Sequence, residues 1–159
     1  MIIVSDTSPI SNLLKIGEID LLRLTFSQVR IPDAVYYEIC QVEAHRIALE
    51  SLDWIERASL ADISLRDKLL GSVDIGEAEA IALALELSAD YLLIDESMGR
   101  NVALEMGLKI TGLLGVLLRA KADGHIPLVE PYVNRLVRNA SFRLSPALIA
   151  DTLYQAGER

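Results

Sequence analysis

MIIVSDTSP, residues 1–9, is an apolar run that stops at a carboxylate and is followed at once by a helix start. Residues 2–4 are strongly apolar and do not alternate, which is typical of a short strand buried on both faces of a parallel sheet. Ser8 and Pro9 are predicted as the N-cap and first residue of a helix. Asp6 is therefore expected at the carboxyl end of a buried strand, where open α/β sheets bind ligands. Taken alone, Asp6 also fits an ordinary turn or cap residue.

Strands and helices alternate along the rest of the chain. Short strands are predicted at 28–31, 53–57, 91–94 and 109–111, and helices at 9–16, 19–24, from Pro32 onward, 74–87, 97–106 and 113–122. This order predicts an α/β fold of three α/β/α layers, with a central parallel sheet of about five short strands and right-handed crossovers. Residues 60–70 carry too weak a pattern for a prediction.

Two more helices, predicted at 128–139 and 146–156, follow a soft boundary near Pro127. We therefore expect residues 1–126 to form the core of the fold and residues 127–159 to be appended C-terminal helices packed on it. A length of 159 residues suits one domain with a sizeable core, and 52% hydrophobic residues argue against disorder.

The acidic residues are concentrated in the first part of the chain. The net charge is −8, with 7 Lys and Arg against 18 Asp and Glu in residues 1–99, and 8 against 5 in residues 100–159. Such a balance argues against coating of nucleic acid by charge alone. An acidic body with a mildly basic final third fits a cation-binding site flanked by a phosphate-binding surface, and it also fits an ordinary acidic protein.

The expected compartment is a reducing cytoplasm. Cys40 is the only cysteine, so neither an internal disulfide nor a cysteine-based zinc site can form. The longest apolar region, residues 110–118, contains Thr111 and two glycines and is shorter than a membrane span. We expect no secretory leader, because Ser5 and Asp6 interrupt the first apolar run.

Two buried strands end in a carboxylate, the first at Asp6 and the strand at 91–94 at Asp95. If the two strands are neighbours, these carboxylates meet at one edge of the sheet, where mutual repulsion is costly unless cations bind. Oxygen ligands without a nearby His or Cys favour Mg²⁺ or Mn²⁺. Glu38 and Glu77 complete the candidate set, since each lies near the start of a helix that can face the same edge.

Each glutamate also has a structural interpretation. Asp74 and Glu77 have the spacing of a capping box, in which the glutamate closes its own helix start. Glu79 faces another way on the helix and is the second choice for the role. Glu38 alone resembles a solvated helix residue, and Glu96 is either a ligand through water or a helix cap.

The chain contains, in this order, SDTSPI at 5–10, Glu38, DIGEAEAIALA at 74–84, LLIDE at 92–96 with Arg100, and FRLSPALI at 142–149. Together these motifs resemble those of the PIN-domain nucleases, and more narrowly those of the VapC-like prokaryotic subfamily of predicted nucleic-acid-binding proteins. The resemblance covers nearly the whole chain.

The resemblance implies a metal site made of Asp6, Glu38, Glu77 and Asp95. These residues would hold one or two Mg²⁺ or Mn²⁺ ions that activate water against a phosphodiester. Secondary or substrate-binding positions would be Thr7, Ser8, Glu79, Glu96 and Arg100. The candidate RNA-binding residues of the basic final third are Arg119, Lys121, Arg135, Arg138 and Arg143, although a solvated helix face explains them equally well.

Two positions depart from the family's pattern. The subfamily commonly has Asp-Asp where this chain has Asp95-Glu96, and many PIN domains have Asp in place of Glu77. A longer side chain at either position is able to shift a second metal, so single-metal occupancy or weak activity is compatible with the sequence.

The implied function is a metal-dependent endoribonuclease acting as the toxin of a toxin–antitoxin pair, with RNA as substrate, an antitoxin as protein partner and a homodimer as assembly. The alternative is a non-catalytic PIN-like module that binds RNA or a protein. Two other enzyme classes fit less well. Haloacid-dehalogenase-like phosphatases need a second Asp where Ser8 stands, and receiver domains need an acidic pair after the first strand.

Overall fold

A five-stranded, all-parallel sheet forms the centre of the protein, in a computed structural model that describes all 159 residues. The strands are β1 (Ile3–Ser5), β2 (Val29–Ile31), β3 (Ile55–Arg57), β4 (Tyr91–Leu93) and β5 (Ile110–Thr111), in the order β3-β2-β1-β4-β5. The helices are α1 (Thr7–Lys15), α2 (Asp20–Phe26), α3 (Asp33–Ile39), α4 (Glu43–Glu50), α5 (Ser64–Leu69), α6 (Ile75–Glu86), α7 (Ser97–Glu105), α8 (Leu113–Ala122), α9 (Glu130–Asn139) and α10 (Pro146–Gln155). The predicted α/β class with a central parallel sheet is confirmed.

Strand β1 lies in the middle of the sheet, and all three of its residues are buried. It pairs with β4 in register, with Ser5 opposite Leu93, and the Asp6 N–H donates to the Leu93 carbonyl at 2.9 Å. The two strands that end in a carboxylate are therefore neighbours, as a shared site requires. Their carboxyl ends meet at one edge of the sheet.

Helix α6 packs against this central pair of strands and against α3 and α5. Nine of its residues, Gly76 to Ala84, are buried, and five of them are glycine or alanine. Small side chains on nearly every side allow close packing in the interior. The Asp74 side chain accepts a hydrogen bond from the Glu77 N–H at 2.8 Å and so caps the helix at the carboxyl edge of the sheet.

The last two helices share the core of the other elements. Val133 and Leu136 of α9 and Leu153 of α10 belong to the same cluster of 37 buried residues as the strands. The Glu158 carboxylate accepts from the N–H groups of Val129 and Glu130 and pairs with Lys121 at 3.0 Å. This contact fixes the end of the chain to the start of α9.

Some local predictions differ from the structure. Helix α1 begins at Thr7 with Asp6 as its N-cap residue, so the prediction of Ser8 as N-cap and Pro9 as first residue was wrong. Pro9 still lies in the first turn, where no backbone N–H is needed. By contrast, Ser145 does cap α10, accepting from the Leu148 N–H at 3.1 Å.

Helices α4 and α5 were not predicted. Each buries a single residue, Leu49 in α4 and Leu69 in α5, so neither presents a clear apolar stripe. None of the ten helices combines the length and the apolar character that crossing a membrane requires.

Candidate functional site

Asp6 and Asp95 follow the two central strands at the carboxyl edge of the sheet. Asp6 is only 4% exposed, and the neighbouring Thr7 backbone N–H lowers its pKa against the larger effect of burial. Asp95 accepts from the Leu113 N–H at the start of α8, at 3.1 Å through Oδ1. Each carboxylate thus lies at the positive end of a helix, which favours negative charge there.

Glu38 reaches the same edge from α3. The Thr7 hydroxyl donates to its Oε2 at 2.8 Å, and the Gly76 backbone N–H at the start of α6 lowers the pKa of Glu38. Although Glu38 is exposed, both of these groups belong to helix starts at the same edge of the sheet. Glu38 is therefore held in place and is not a freely solvated helix residue.

Glu77 is 6% exposed, and its Oε2 is buried without any hydrogen-bond partner. Asp74 accepts from the Glu77 backbone N–H, which is one half of a capping box. In the other half of a capping box, the glutamate side chain accepts a hydrogen bond from the backbone N–H at the helix start. The unpaired Oε2 of Glu77 makes no such bond. A buried oxygen without a donor is energetically costly unless a further group, such as a water molecule or an ion, binds to it.

Three glycines lie directly against three of these carboxylates. A Cβ placed on Gly76 would overlap Glu38 Oε1, one on Gly99 would overlap Glu77 Oε2, and one on Gly112 would overlap Asp95 Oδ1. A side chain at any of these positions would therefore require the neighbouring carboxylate to move from its present place. None of the three was predicted from the sequence, although each glycine stands at or near a helix start at the sheet edge.

Burial raises the pKa values of the carboxyl groups. It raises the pKa of Asp6 to about 7 and that of Asp95 to about 6, with neighbouring acidic groups adding to the effect. Burial is also the main cause of the raised pKa values of Glu38 and Glu77, and the charge of Asp74 raises both further. Asp74, which was predicted only as a cap, is thus a fifth carboxylate of the cluster.

The carboxylates fit a divalent cation in their chemistry. All donors are oxygens, Glu77 Oε2 lacks a partner, and mutual repulsion is relieved by positive charge. As the side chains stand, no group of three or more His, Cys, Asp or Glu residues is arranged so as to hold a metal ion. The residue types and their burial fit the ion, whereas the side chains do not converge on one point.

A family model described as PIN domain matches residues 2–158, nearly the whole chain. The chain belongs to the PIN-domain family. PIN domains are generally metal-dependent nucleases that act on RNA or DNA, so this protein has a nuclease-type fold. No curated protein matches the chain.

Two other predicted residues of this PIN domain have contacts that define their surroundings. Glu79 is buried, accepts from the Ala34 N–H at 2.8 Å and pairs with Arg66 at 3.1 Å, so it joins α6 to α3 and α5 instead of facing the cluster. Glu96 is exposed and precedes α7 without capping it.

Arg100 lies beside Asp95 and forms no ion pair within 4 Å. Its Nη1 donates to the Ile94 carbonyl at 2.7 Å, and its charge lowers the pKa of Asp95 against the larger effect of burial. This contact holds the guanidinium at the end of strand β4, next to the acidic cluster.

Two openings border the carboxylate cluster of the PIN domain. A small pocket of about 340 Å³ has Asp74, Glu77 and Glu96 in its lining and no Lys or Arg. A larger cleft of about 1110 Å³ begins at Asp95 and Glu96 and extends past Arg100. We call the first the acidic pocket and the second the basic cleft, because Lys15, Arg100 and Arg143 line the latter.

Three of the five basic residues suggested for RNA binding are engaged within the protein. Arg119 pairs with Asp123 and lies over the Phe26 ring, Lys121 pairs with Glu158, and Arg135 pairs with Glu18. Arg138 and Arg143 are exposed and form no ion pair. Only Arg143 of these five lines the basic cleft.

Proposed function

We propose that this PIN domain is a metal-dependent endoribonuclease that hydrolyses RNA phosphodiester bonds. The observation that carries the proposal is the carboxylate cluster at the sheet edge, in which Asp6 and Glu77 are buried and Glu77 Oε2 has no partner. Such a desolvated group of acids destabilises the folded protein unless protons or cations bind to it. In a family of nucleases, cation binding for phosphodiester hydrolysis is the role that fits.

Asp6, Glu38, Glu77 and Asp95 would hold Mg²⁺ or Mn²⁺. A bound divalent cation supplies a nucleophilic hydroxide at neutral pH and neutralises charge on the scissile phosphate. Thr7 orients Glu38 through its hydroxyl, and Leu113 orients Asp95 through its N–H. Arg100, whose guanidinium donates to the Ile94 carbonyl, would bind a substrate phosphate next to the cluster.

The toxin role, an antitoxin partner, a homodimer and the VapC-like subfamily belong to the same proposal. Their support is the motif resemblance from SDTSPI to FRLSPALI, which spans the chain. Light scattering after size-exclusion chromatography measures whether the protein is a dimer. The toxin role predicts that expression arrests growth and that the product of an adjacent small open reading frame relieves the arrest.

The second candidate is a non-catalytic PIN-like module that binds RNA or a protein. The observation that favours it is the lack of any three acidic, His or Cys side chains arranged to hold a metal ion. In that case the acidic cluster would be a remnant, and replacing one of its members would leave any activity unchanged.

Cleavage of a panel of single-stranded and structured RNAs with Mn²⁺ separates the two candidates. We expect wild type to cleave at least one RNA and Asp6→Asn to be slower by about 100-fold or more, because the variant loses a charged oxygen ligand. Equal residual cleavage by both proteins, or none by either at high enzyme concentration, would refute the nuclease proposal. Circular dichroism controls for folding of the variant.

A further inference from the structure

Asp74 belongs both to the start of helix α6 and to the lining of the acidic pocket. Its Oδ1 accepts from the Glu77 backbone N–H at 2.8 Å and so caps α6, and its side chain lines the pocket together with Glu77 and Glu96. None of these three carboxylates forms an ion pair, and no Lys or Arg lines the pocket. Three unpaired carboxylates therefore share one small opening.

Capping does not require the negative charge of Asp74. Asn and Ser cap a helix about as well as Asp does. In this chain the neutral Ser145 caps α10 by accepting from the Leu148 N–H at 3.1 Å. A helix start also favours an acidic residue in its first turn, but Glu77 already supplies one in α6. The charge at position 74 is therefore additional to what the helix start needs.

That charge acts on other carboxylates of the cluster. Burial is the main cause of the raised pKa values of Asp6, Glu38 and Glu77, and among the acidic neighbours that raise them further Asp74 has the largest effect on each. The packing agrees with this, since α6 contacts both α3, which carries Glu38, and strand β1, which Asp6 follows. Asp74 thus adds repulsion to three of the four residues proposed to hold a cation.

A bound cation relieves repulsion of this kind. A neutral Asn or Ser at position 74 would keep the cap and avoid the repulsion, so the carboxylate is unfavourable in the protein without a cation and favourable once a cation is bound. The nearby Glu77 Oε2, buried without a hydrogen-bond partner, likewise favours a further group at this place, such as an ion or a water molecule.

We propose that Asp74 is a fifth acidic residue of the metal site, which binds the divalent cation from the side of the acidic pocket while it caps α6. This inference rests on the proposed nuclease function and deepens it, because it assigns a metal-binding role to a residue outside the four that the sequence motifs indicate. The helix start uses only Oδ1 of Asp74, so its second oxygen is available to the ion or to water bound to the ion.

Titration of the full-length protein with Mn²⁺, followed by the EPR signal of the free ion, tests the proposal without cleavage. Asp74→Asn and Asp74→Ser keep the cap and remove the charge. Asp53→Asn is the matched control, because it removes an exposed carboxylate that forms no ion pair and lines neither opening. We expect each variant at position 74 to raise the Kd for Mn²⁺ about tenfold, since affinity follows the charge of the ligands, and the control to change it by less than about twofold.

Thermal unfolding in EDTA is expected to change in the opposite direction. Loss of the repulsion should raise the melting temperature of Asp74→Asn above that of wild type by about 1 to 3 °C. Asp74→Ala removes the cap as well as the charge, so it should melt below Asp74→Asn while showing the same loss of Mn²⁺ affinity. A residue that only caps the helix would change neither property in Asp74→Asn.

Unchanged Mn²⁺ affinity in Asp74→Asn would overturn the proposal and leave Asp74 as a cap. Equal weakening in Asp53→Asn would also overturn it, since binding would then follow overall charge. So would a lower melting temperature of Asp74→Asn in EDTA, because the loss of affinity would then follow from a weakened helix start. Circular dichroism verifies that all variants fold.

The two proposals fail in different ways. Wild-type cleavage of RNA with equal Mn²⁺ affinity in wild type and Asp74→Asn would retain the nuclease and reject the role of Asp74. Selective loss of Mn²⁺ affinity in Asp74→Asn with no cleavage by wild type would retain the role of Asp74 and reject the nuclease.

Discussion

The acidic cluster and the basic cleft share a border at Asp95 and Glu96, yet their charged groups lie in opposite environments. In the cluster, Asp6 and Glu77 are buried close to other carboxylates, and Glu77 Oε2 has no donor. In the cleft, Lys15 and Arg143 are exposed and unpaired. The buried carboxylates of the cluster lower the stability of the folded protein. The charges of the cleft cost little stability because they remain in water.

This difference suits a protein that handles a polyanion with acidic catalytic groups. Carboxylates repel a phosphate backbone, so a substrate can approach them only if adjacent cations hold it. The separation of the two regions predicts that the rate of RNA cleavage depends on the cluster and that the affinity for RNA depends on the cleft. Variants confined to one region should therefore change one property and spare the other.

A crossed pair of variants tests the separation most directly. We expect Asp95→Asn to lower kcat for RNA by about 100- to 1000-fold with Mn²⁺, because a ligand charge is lost, and to leave RNA binding in EDTA unchanged or tighter. Arg143→Gln is expected to raise Kd about tenfold with kcat at saturating RNA within about threefold of wild type. If both variants lose affinity and turnover together, the two regions act as one.

The glycine contacts predict a loss of activity without loss of any charged group. In Gly112→Ala, the added Cβ displaces the Asp95 carboxylate, while the backbone at φ −118° and ψ −171° accepts alanine without strain. We expect kcat to fall about 10- to 100-fold, since small displacements of catalytic groups are costly. Gly71→Ala, with nothing within 4 Å of the new methyl group, is the control, and an equal rate in both variants would contradict the prediction.

The raised pKa of Asp6 predicts how stability depends on pH. Because the pKa rises from 3.8 to about 7 on folding, the folded protein favours the protonated carboxyl, and stability falls as pH rises between these values. Asp6→Asn removes this penalty. Urea unfolding in EDTA should show the variant more stable by about 1 to 3 kcal/mol at pH 8, with the difference vanishing near pH 4. A variant less stable at pH 8 would show that the carboxylate is stabilised by the fold.

A smaller effect is expected from adding metal to the folded protein. Mn²⁺ in excess should raise the melting temperature by a few degrees, on the order of the 1 to 3 kcal/mol that a weakly bound ligand contributes, and the rise should vanish in Asp95→Asn. Lys68→Gln, outside both regions, should keep the full rise. A rise of equal size in Asp95→Asn would place the ion elsewhere.

The centre of the fold was predictable because its signals are local. Unbroken apolar runs ending at Asp6 and Asp95 identify the two central strands, and the alternation with helices requires them to be parallel. The cap of α10 by Ser145 follows from a Ser-Pro pair. The same pair at Ser8-Pro9 led to a wrong N-cap prediction. Helix α1 begins directly after the end of strand β1, with Asp6 as its N-cap residue.

The surroundings of the site were not predictable, because they depend on contacts between distant segments. Nothing local shows that Arg66 pairs with Glu79, or that Arg135 pairs with Glu18. The placement of Asp74 next to Glu38 likewise requires α6 to start beside α3. Composition identified a basic final third, but only the folded chain shows which of its arginines remain free.

The glycines at positions 76, 99 and 112 offer a way to judge relatives of this protein from sequence alone. A homologue that keeps all four acids but carries a larger residue at one of these positions has lost the room in which its carboxylates stand. We expect the carboxylates of such a chain to stand elsewhere than Glu38, Glu77 and Asp95 do here, although its acidic residues would align with them.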